Sequence, residues 1–256
     1  MFENPDYIVI GSGSAGSTIA YRLGENPSHQ VLVLEFGGSD FSPFIQMPAA
    51  LSYPMNMPKF DWGYKAEPEP ELNGRSLVCP RGKVIGGSSS INGMIYVRGN
   101  PGDYHEWARS GATGWDYADV LPYFQRMEKS HGGTSEFRGS QGPLHVTHGK
   151  RDNPLHEAFV SAAQQAGYER TEDYNAYRQE GFGPADMTVH NGSRFSTAKA
   201  YLKPALAKKN VKLVTRALVD KIIFEGKKAV GVEFFYQGQK KIIKVKKDVI
   251  LSAGSI

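Results

Sequence analysis

A glycine-rich turn between two short hydrophobic runs restricts the fold of this chain more than any other feature of its sequence. The first run, Tyr7-Ile8-Val9-Ile10, is apolar throughout, which is typical of a parallel strand buried on both faces. A helical pattern with Ile19, Ala20 and Leu23 on one face follows the turn. The second run, Val31-Leu32-Val33-Leu34, completes a β-α-β unit. These elements predict an α/β fold with a parallel sheet.

The turn Gly11-Ser12-Gly13-Ser14-Ala15-Gly16 has the spacing of a dinucleotide-binding turn. Gly11 allows the tight turn, Gly13 lets the main chain approach a pyrophosphate, and Gly16 lets the helix pack closely on the strand. The start of the helix offers free N–H groups to negative phosphates. A sequence with 29 glycines often contains this spacing by chance, so the prediction depends on the flanking strands and helix.

Glu35 ends the second run, 19 residues after Gly16 (35 minus 16). Its carboxylate can accept hydrogen bonds from the ribose hydroxyls of an adenosine, whereas it would repel a 2′-phosphate, which argues against NADP. The alternative is a helix start with incidental glycines and a surface Glu35. We predict that an ADP moiety binds here.

Short helices and loops are predicted for the middle of the chain. Residues 39–80 combine Pro, Met and aromatic residues with weak periodicity, which predicts an extended, irregular segment. The Gly- and Ser-rich residues 130–143 predict a domain boundary. Helices are predicted over 104–109, over 117–129 with a kink or restart at Pro122, over 154–166 between Asn153-Pro154 and Gly167, and up to Leu206 after a cap at Ser196 or Thr197.

From Val211 onward the pattern changes to strands. Alternating residues over 218–224, 229–236 and 242–245 predict an antiparallel meander that turns at two glycines, and Val249-Ile250-Leu251 is predicted to be a last buried strand. The sequence stops soon after that strand, which needs neighbours to pair with and to cover it. We therefore expect part of a longer protein or of a split pair, and an unusual natural C-terminus is the alternative.

Charge and hydropathy exclude several classes of protein. Residues 203–247 hold 13 Lys/Arg against 3 Asp/Glu, but the charges alternate with apolar residues at strand spacing, which predicts a solvated sheet face and no nucleic-acid partner. No apolar run is long enough for a transmembrane segment, and the N-terminus has no basic leader. Cys79 is the single cysteine, which favours the reducing cytoplasm.

A second glycine-rich segment reads Arg81-Gly82-Lys83-Val84-Ile85-Gly86-Gly87-Ser88-Ser89-Ser90-Ile91-Asn92-Gly93-Met94. A basic pair is followed by residues with little bulk, so main-chain N–H groups and hydroxyls can contact a phosphate or a flat ring. From these residues alone, a flexible linker or a second anion-binding nest is an equally good interpretation.

This second segment satisfies the first signature of the glucose–methanol–choline (GMC) oxidoreductases, flavoproteins that oxidise alcohols, and the chain resembles that family along its whole length. The signature match runs from Gly82 to Asn92 and continues at Tyr96, Gly99 and His105. Matches to the choline dehydrogenase branch of the family are Asp61-Trp62, Arg98-Gly99-Asn100-Pro101, Gly181-Phe182-Gly183-Pro184 and Ser196-Thr197-Ala198.

The resemblance implies a Rossmann-like FAD-binding domain, a β-α-β unit with a parallel sheet plus an antiparallel meander. This domain is expected at 1–140 and 193–256, with part of a second, α+β substrate domain at 141–192. The residues implied to bind FAD are Gly11, Ser12, Gly13, Ser14, Ala15, Gly16, Glu35, Phe36, Trp62, Arg81, Gly82, Val84, Gly86, Gly87, Ser88, Asn92, Gly93, Met94, Ile95, Val219, Ala253 and Gly254.

Two departures from the family pattern affect the expected site. Ile91 stands where some relatives carry a flavin-linking His, so FAD is expected to be held non-covalently. Phe36 replaces the small residue usual after the Glu, which predicts altered geometry beside the ribose. The family's catalytic base is a His near the C-terminus, and none of the seven His here is assigned that role. No metal ligand is assigned either, because His145 and His148 lie three apart in a strand-like segment with no carboxylate cluster.

The resemblance implies hydride transfer from a choline-like or other small primary alcohol to the flavin N5. The expected partners are that alcohol, an electron acceptor (quinone, dye or oxygen), and a missing C-terminal half or complementary chain. The expected location is cytoplasmic, with peripheral association at the inner face of the membrane as an option for this branch. The alternatives are a non-catalytic nucleotide-binding module, one half of a split enzyme, and an NAD-dependent dehydrogenase.

Overall fold

The computed structural model describes residues 2–132, 135–150 and 152–256. The backbone forms two compact units, the first made of Met1–Gly93 with Gly192–Ile256 and the second of Met94–Asn191. These divisions lie at 93/94 and 191/192, whereas the sequence predicted them at 140/141 and 192/193. Residues 133 and 134 of the predicted boundary 130–143 lie outside the described residues.

A four-stranded parallel sheet organises the first unit. Its strand order is Val211–Thr215, Val31–Glu35, Tyr7–Ile10, Asp248–Leu251, and every neighbouring pair is parallel. The helix Ser14–Leu23 connects the two central strands, so the predicted β-α-β unit is confirmed. Continuous apolar runs suit these central strands, because both of their faces are covered.

Alternate residues of the central strands pack into two separate cores. Val9, Val31 and Val33 face the helix Ser14–Leu23 and the later helical segment, where they meet Ala20 and Leu202. The other face of the same strands belongs to a second core with the antiparallel strands. That core contains Ile8, Ile10, Leu32, Leu34, Ala217, Val232, Phe234 and Ile243. The sheet is therefore the middle layer of this unit, as a strand's two-residue period dictates.

The predicted antiparallel meander is confirmed by the strands Ala217–Glu225, Lys228–Tyr236 and Gln239–Lys244. The prediction of a last buried strand is wrong. Among the described residues, Asp248–Leu251 pairs with Tyr7–Ile10 alone and forms the sheet edge, and Leu251 is 68% exposed. An apolar run cannot by itself distinguish an edge strand from a central one.

The rest of the first unit is largely irregular, as predicted for residues 39–80. Thr197 is the N-cap residue of the helical segment that starts as a π-helix, so the cap predicted at Ser196 or Thr197 has the right position. Its side chain makes no capping hydrogen bond; the Thr197 hydroxyl lies 2.8 Å from Ser89 Oγ instead. The remaining short elements are the strands Tyr64–Lys65, Val78–Cys79 and Ser193–Arg194, the helices Pro43–Gln46 and Lys203–Leu206, the 3₁₀ turns Pro48–Ala50, Pro54–Asn56, Pro70–Leu72 and Gly87–Ser90, and the π-helix Ala198–Leu202.

The second unit combines three helices with short strands, Glu128–Ser130, Leu144–His148, Asp186–Met187 and Val189–His190. Its helices are Pro101–Arg109, Tyr117–Met127 and Pro154–Gln165. The predicted helix 117–129 ends two residues early, because Glu128–Ser130 pairs in parallel with Leu144–His148. The helix continues through Pro122 without a restart.

A buried charge network explains why residues 94–140 belong to the second unit. Glu128 is fully buried and accepts hydrogen bonds from Arg98 at 2.9 Å and Arg138 at 2.8 Å, and Arg138 also pairs with Asp173 and Asp186. Buried charges require such partners. Among the helices of the described ranges, none has both the length and the apolar character needed to cross a bilayer.

Candidate cofactor-binding site

A crevice of about 430 Å³ opens in the first unit where the parallel strands end. Ile10, Leu34 and Ser252 line it, and each stands at or just beyond the carboxyl end of its strand. In open parallel sheets, ligands bind outside the carboxyl ends of the strands. The location of the crevice therefore follows from the sheet topology.

The two glycine-rich segments meet at this crevice. The Gly86 N–H donates to the Ser12 carbonyl at 2.9 Å, which ties one segment to the other. A Cβ atom on Gly87 would lie 2.7 Å from the Gly13 Cα, closer than real Cβ atoms come to other atoms. This approach excludes a side chain at position 87, whereas a Cβ on Gly13 would lie 3.9 Å from the Gly87 Cα, an ordinary contact distance. The segments thus form one continuous surface of backbone.

The turn after the first strand is as tight as the sequence predicted. Gly11 has a φ of 89°, and a Cβ there would lie 2.6 Å from the Ser252 carbonyl oxygen. A Cβ on Gly16 would lie 2.0 Å from the Gly11 oxygen, so the helix rests directly on the turn. Substituting either residue would require main-chain movement.

The helix Ser14–Leu23 presents its first turn to the crevice. Gly13 precedes it in an extended conformation, and Ser14 and Ala15 line the cavity. The first N–H groups of a helix have no intrahelical acceptor and carry the positive end of its dipole. No acidic residue lies in that first turn to neutralise it. A pyrophosphate therefore fits this end of the crevice.

Glu35 is 7% exposed and is held in place by its own chain. Its Oε2 accepts hydrogen bonds from the Ser12 amide at 2.8 Å and the Ser12 hydroxyl at 2.9 Å, and its Oε1 accepts one from the Gly37 amide at 2.6 Å. A carboxylate offers about four acceptor positions, so at least one remains for a ligand hydroxyl. Its orientation towards the crevice is set before any ligand binds.

Three aromatic rings form one wall of the crevice. Phe36 stacks on Trp62 with ring centroids 5.0 Å apart, and Trp62 stacks on Tyr64 at 6.1 Å. The Lys83 ammonium lies 5.6 Å from the Trp62 ring centroid. Phe36 is thus part of an aromatic stack, and the altered geometry expected beside the ribose stays a prediction. Such a flat apolar surface suits the face of an aromatic ring system.

Fourteen of the residues assigned to FAD from the resemblance line the crevice. They are Gly11, Gly13, Ser14, Ala15, Glu35, Phe36, Trp62, Arg81, Gly82, Gly87, Ser88, Val219, Ala253 and Gly254. Ser12, Gly16, Val84 and Gly86 are buried behind the lining instead, and Asn92 and Gly93 lie outside it. Met94 and Ile95 belong to the second unit. The binding roles of all the residues assigned to FAD stay predictions.

Two kinds of residue at the site were not predicted from the sequence. Arg194 is 1% exposed and donates to the carbonyls of Ile45 at 2.9 Å and Asn92 at 2.7 Å. Burial lowers the pKa of Arg194 to about 10. It positions the second glycine segment, and nothing local in the sequence reveals this. The missed lining residues are Ile10, Leu34, Tyr64, Ala217, Leu218, Ser252, Ser255 and Ile256, of which the strand-end residues were recognisable from topology.

Comparison with known proteins places the chain in a family. The GMC oxidoreductase family model matches residues 5–256. Oxygen-dependent choline dehydrogenase of Brucella anthropi is 60% identical over 251 residues, and that of Rhizobium etli is 57% identical over 250 residues. Each match covers 98% of this chain but 46% and 45% of the respective relative, so the chain spans about half the length of these proteins.

Solved structures agree with this assignment. Pyridoxine 4-oxidase from Mesorbium loti superimposes with a TM-score of 0.93 at 32% identity, covering 98% of this chain and 50% of that one. A formate oxidase from Aspergillus oryzae gives 0.89 at 26% identity, covering 99% and 46%. The predicted Rossmann-like fold is confirmed. Signature, family model and fold agree, and the chain belongs to the GMC oxidoreductase family.

Proposed function

We propose that the crevice of the first unit binds FAD non-covalently. The observation that carries this proposal is the junction of the two glycine segments, where Gly87 contacts Gly13 beside a helix N-terminus. That junction offers N–H groups to a pyrophosphate at the point where a dinucleotide crosses a parallel sheet. Glu35 would accept hydrogen bonds from the ribose, and the rings of Phe36 and Trp62 would contact a flat ring.

Non-covalent binding is proposed because of the residue at position 91. Ile91 is 2% exposed and packs with Ile45, Phe60 and Val84. An aliphatic side chain has no nucleophilic atom to bond a flavin. Acid precipitation of the FAD-loaded protein should therefore release all the yellow colour into the supernatant.

The test of cofactor binding is titration of the purified chain with FAD. We expect a yellow complex with a shifted flavin absorbance, and near one FAD per chain. NADH in the same titration should not compete at equal concentration, which separates this proposal from an NAD-dependent dehydrogenase. A colourless protein that ignores FAD would overturn the proposal.

We further propose that the whole protein oxidises a small primary alcohol, with choline as the first candidate. The support is that the relatives with 57–60% identity are oxygen-dependent choline dehydrogenases. When bound, FAD supplies the hydride acceptor. The residues of this chain would bind and orient the cofactor and exclude water from its adenosine end. The proton-accepting base is proposed to come from outside this chain, as sequence reasoning expected.

Activity is tested by combining the FAD-loaded chain with a segment supplying the C-terminal half of a relative. Bleaching of the flavin by choline under anaerobic conditions would support the alcohol-oxidising function, and a quinone, a dye or oxygen should restore the colour. FAD binding with no bleaching by any alcohol would favour a non-catalytic FAD-binding module. We also propose a cytoplasmic location, with peripheral attachment to the inner face of the membrane as the alternative. Cell fractionation distinguishes the two.

A further inference from the structure

A cluster of three histidines lies in the second unit, outside the crevice already described. His131 follows the strand Glu128–Ser130, His145 lies within Leu144–His148, and His190 ends the strand Val189–His190. The His131 and His145 ring centroids are 5.0 Å apart, His131 and His190 5.1 Å, and His145 and His190 3.9 Å. One nitrogen from each ring lies within 4.8 Å of the other two.

One main-chain and one side-chain hydrogen bond hold the strands that carry these residues together. The His131 N–H donates to the Val146 carbonyl at 2.9 Å, which places His131 beside His145. The Thr147 hydroxyl donates to the Val189 carbonyl at 2.9 Å, which brings the strand that ends at His190 to the same place. The strands therefore bring the three positions together, and the side-chain rotations set the distances between the ring nitrogens.

The spacing suits a metal ion with nitrogen ligands. Two imidazoles on tetrahedral Zn²⁺, at about 2.0–2.1 Å each, hold their nitrogens about 3.3 Å apart. The His131 Nε2 and His145 Nδ1 are 2.8 Å apart, and one nitrogen from each of the three rings lies within 4.8 Å of the others. A three-nitrogen site requires ring rotations that bring these atoms to about 3.3 Å from one another. His131 is exposed, so water has access to a fourth position.

The charge state of the rings also suits a metal ion. Burial lowers the pKa of His145 to about 4, with further lowering by His190, His131 and Lys129, and burial lowers the pKa of His131. Neutral imidazole is the form that binds metals. The Lys129 ammonium opposes any cation placed there, which argues for modest affinity.

We propose that His131, His145 and His190 bind one divalent transition-metal ion, with Zn²⁺ as the biological candidate. Imidazole nitrogen selects Zn²⁺, Cu²⁺ and Ni²⁺ over Mg²⁺ and Ca²⁺, which prefer oxygen. No metal ligand was predicted from the sequence, because His145 and His148 lie three apart in a strand-like segment with no carboxylate cluster. His148 takes a different role, with its Nδ1 2.5 Å from the Asp186 carboxylate.

The test is zinc titration of the full chain, expressed without a polyhistidine tag and dialysed against a chelator. We expect one Zn²⁺ per chain with micromolar affinity, measured by competition with a chromophoric chelator, and the visible absorbance of tetrahedral Co²⁺ on substitution. His145→Gln and His190→Gln should each weaken binding at least tenfold. His156→Gln, on the helix Pro154–Gln165, is the matched control and should leave binding unchanged.

Two further variants keep the test decisive. Lys129→Gln should tighten binding severalfold, because it removes the opposing charge. Where a substitution at the half-buried His145 prevents folding, seen by circular dichroism, the exposed His131→Gln replaces it. Equal Zn²⁺ affinity in the parent chain and in the His131 and His190 variants would overturn the proposal. Absence of binding at one Zn²⁺ per chain would also overturn the proposal, and the three histidines would then be a hydrogen-bonded cluster at the surface.

Discussion

The Gly13 Cα occupies the space that a side chain on Gly87 would need, with a Cβ at position 87 only 2.7 Å away. Gly87 also has a φ of 54°, where other residues are strained. Gly87→Ala should therefore lower stability by about 2–5 kcal/mol, the sum of strain and overpacking. It should also weaken FAD binding at least tenfold, because the segments must separate. Urea unfolding and FAD titration measure the two effects.

The control for this substitution is Gly226→Ala. Gly226 has a similar φ of 60°, but a Cβ there meets nothing within 4 Å. Gly226→Ala should lower the stability of the chain only by the backbone strain, about 1–2 kcal/mol, and should leave FAD affinity unchanged. Equal losses of FAD affinity in the two variants would show that the contact between the glycine segments is irrelevant to the crevice.

Trp62 offers a test of the aromatic wall. Stacking a base on an aromatic side chain contributes about 1–3 kcal/mol, measured by substitution with alanine. Trp62→Ala should therefore raise the Kd for FAD by about 5- to 150-fold. Trp62→Phe retains a ring beside Phe36 and should lose much less. Trp107→Phe, in the second unit, should bind FAD like the parent chain; a Trp62→Ala chain with parental affinity would rule out a stacking contact.

Local pattern was enough to predict the first β-α-β unit and the meander. Their elements are set by residues close in sequence: continuous apolar runs in the strands of the unit, alternating residues in the meander strands, and glycines at the turns. The placement of Val211–Thr215 beside Val31–Glu35 was not predictable in this way, since it depends on a connection of more than 170 residues (211 minus 35 is 176). The same holds for the exposure of the edge strand Asp248–Leu251.

Residues of the crevice were likewise predictable from the sequence only where their partners lie close by along the chain. Gly11 to Gly16 and Glu35 were predictable because they have the sequence spacing of a dinucleotide-binding turn and its acidic residue. Arg194 was not, because its partners Ile45 and Asn92 lie 149 and 102 positions away. The three-histidine cluster joins positions 131, 145 and 190, whose convergence only strand pairing reveals.

Asp116 predicts a pH dependence at the start of the helix Tyr117–Met127. Its carboxylate accepts hydrogen bonds from His105 and from the Ala118 amide, and the His105 hydrogen bond is the main cause of its lowered pKa. A carboxyl with a lower pKa in the folded state stabilises that state at pH values above its unfolded pKa of 3.8. This contribution is lost as the pH falls through the folded pKa.

The substitution that isolates this effect is Asp116→Asn. Asparagine caps a helix about as well as aspartate, so the cap is kept while the ionisable group is removed. The parent chain should be more stable than the variant at pH 6, and the difference should shrink as the pH falls below 3.8. Urea unfolding at pH 6 and at a series of pH values below 3.8 measures it. A difference that is constant with pH would assign the effect to the cap instead.

Glu128 should be the most sensitive acidic residue of the second unit. It is fully buried and binds Arg98, Arg138 and the Gly139 amide, so Glu128→Gln leaves two buried guanidinium groups short of one negative charge. Breaking one partner of a buried pair costs about 3–5 kcal/mol. Glu157→Gln removes an exposed pair with Arg170 and should cost under about 1 kcal/mol. Urea unfolding should show this contrast, and similar losses in both variants would mean that solvent screens the Glu128 network.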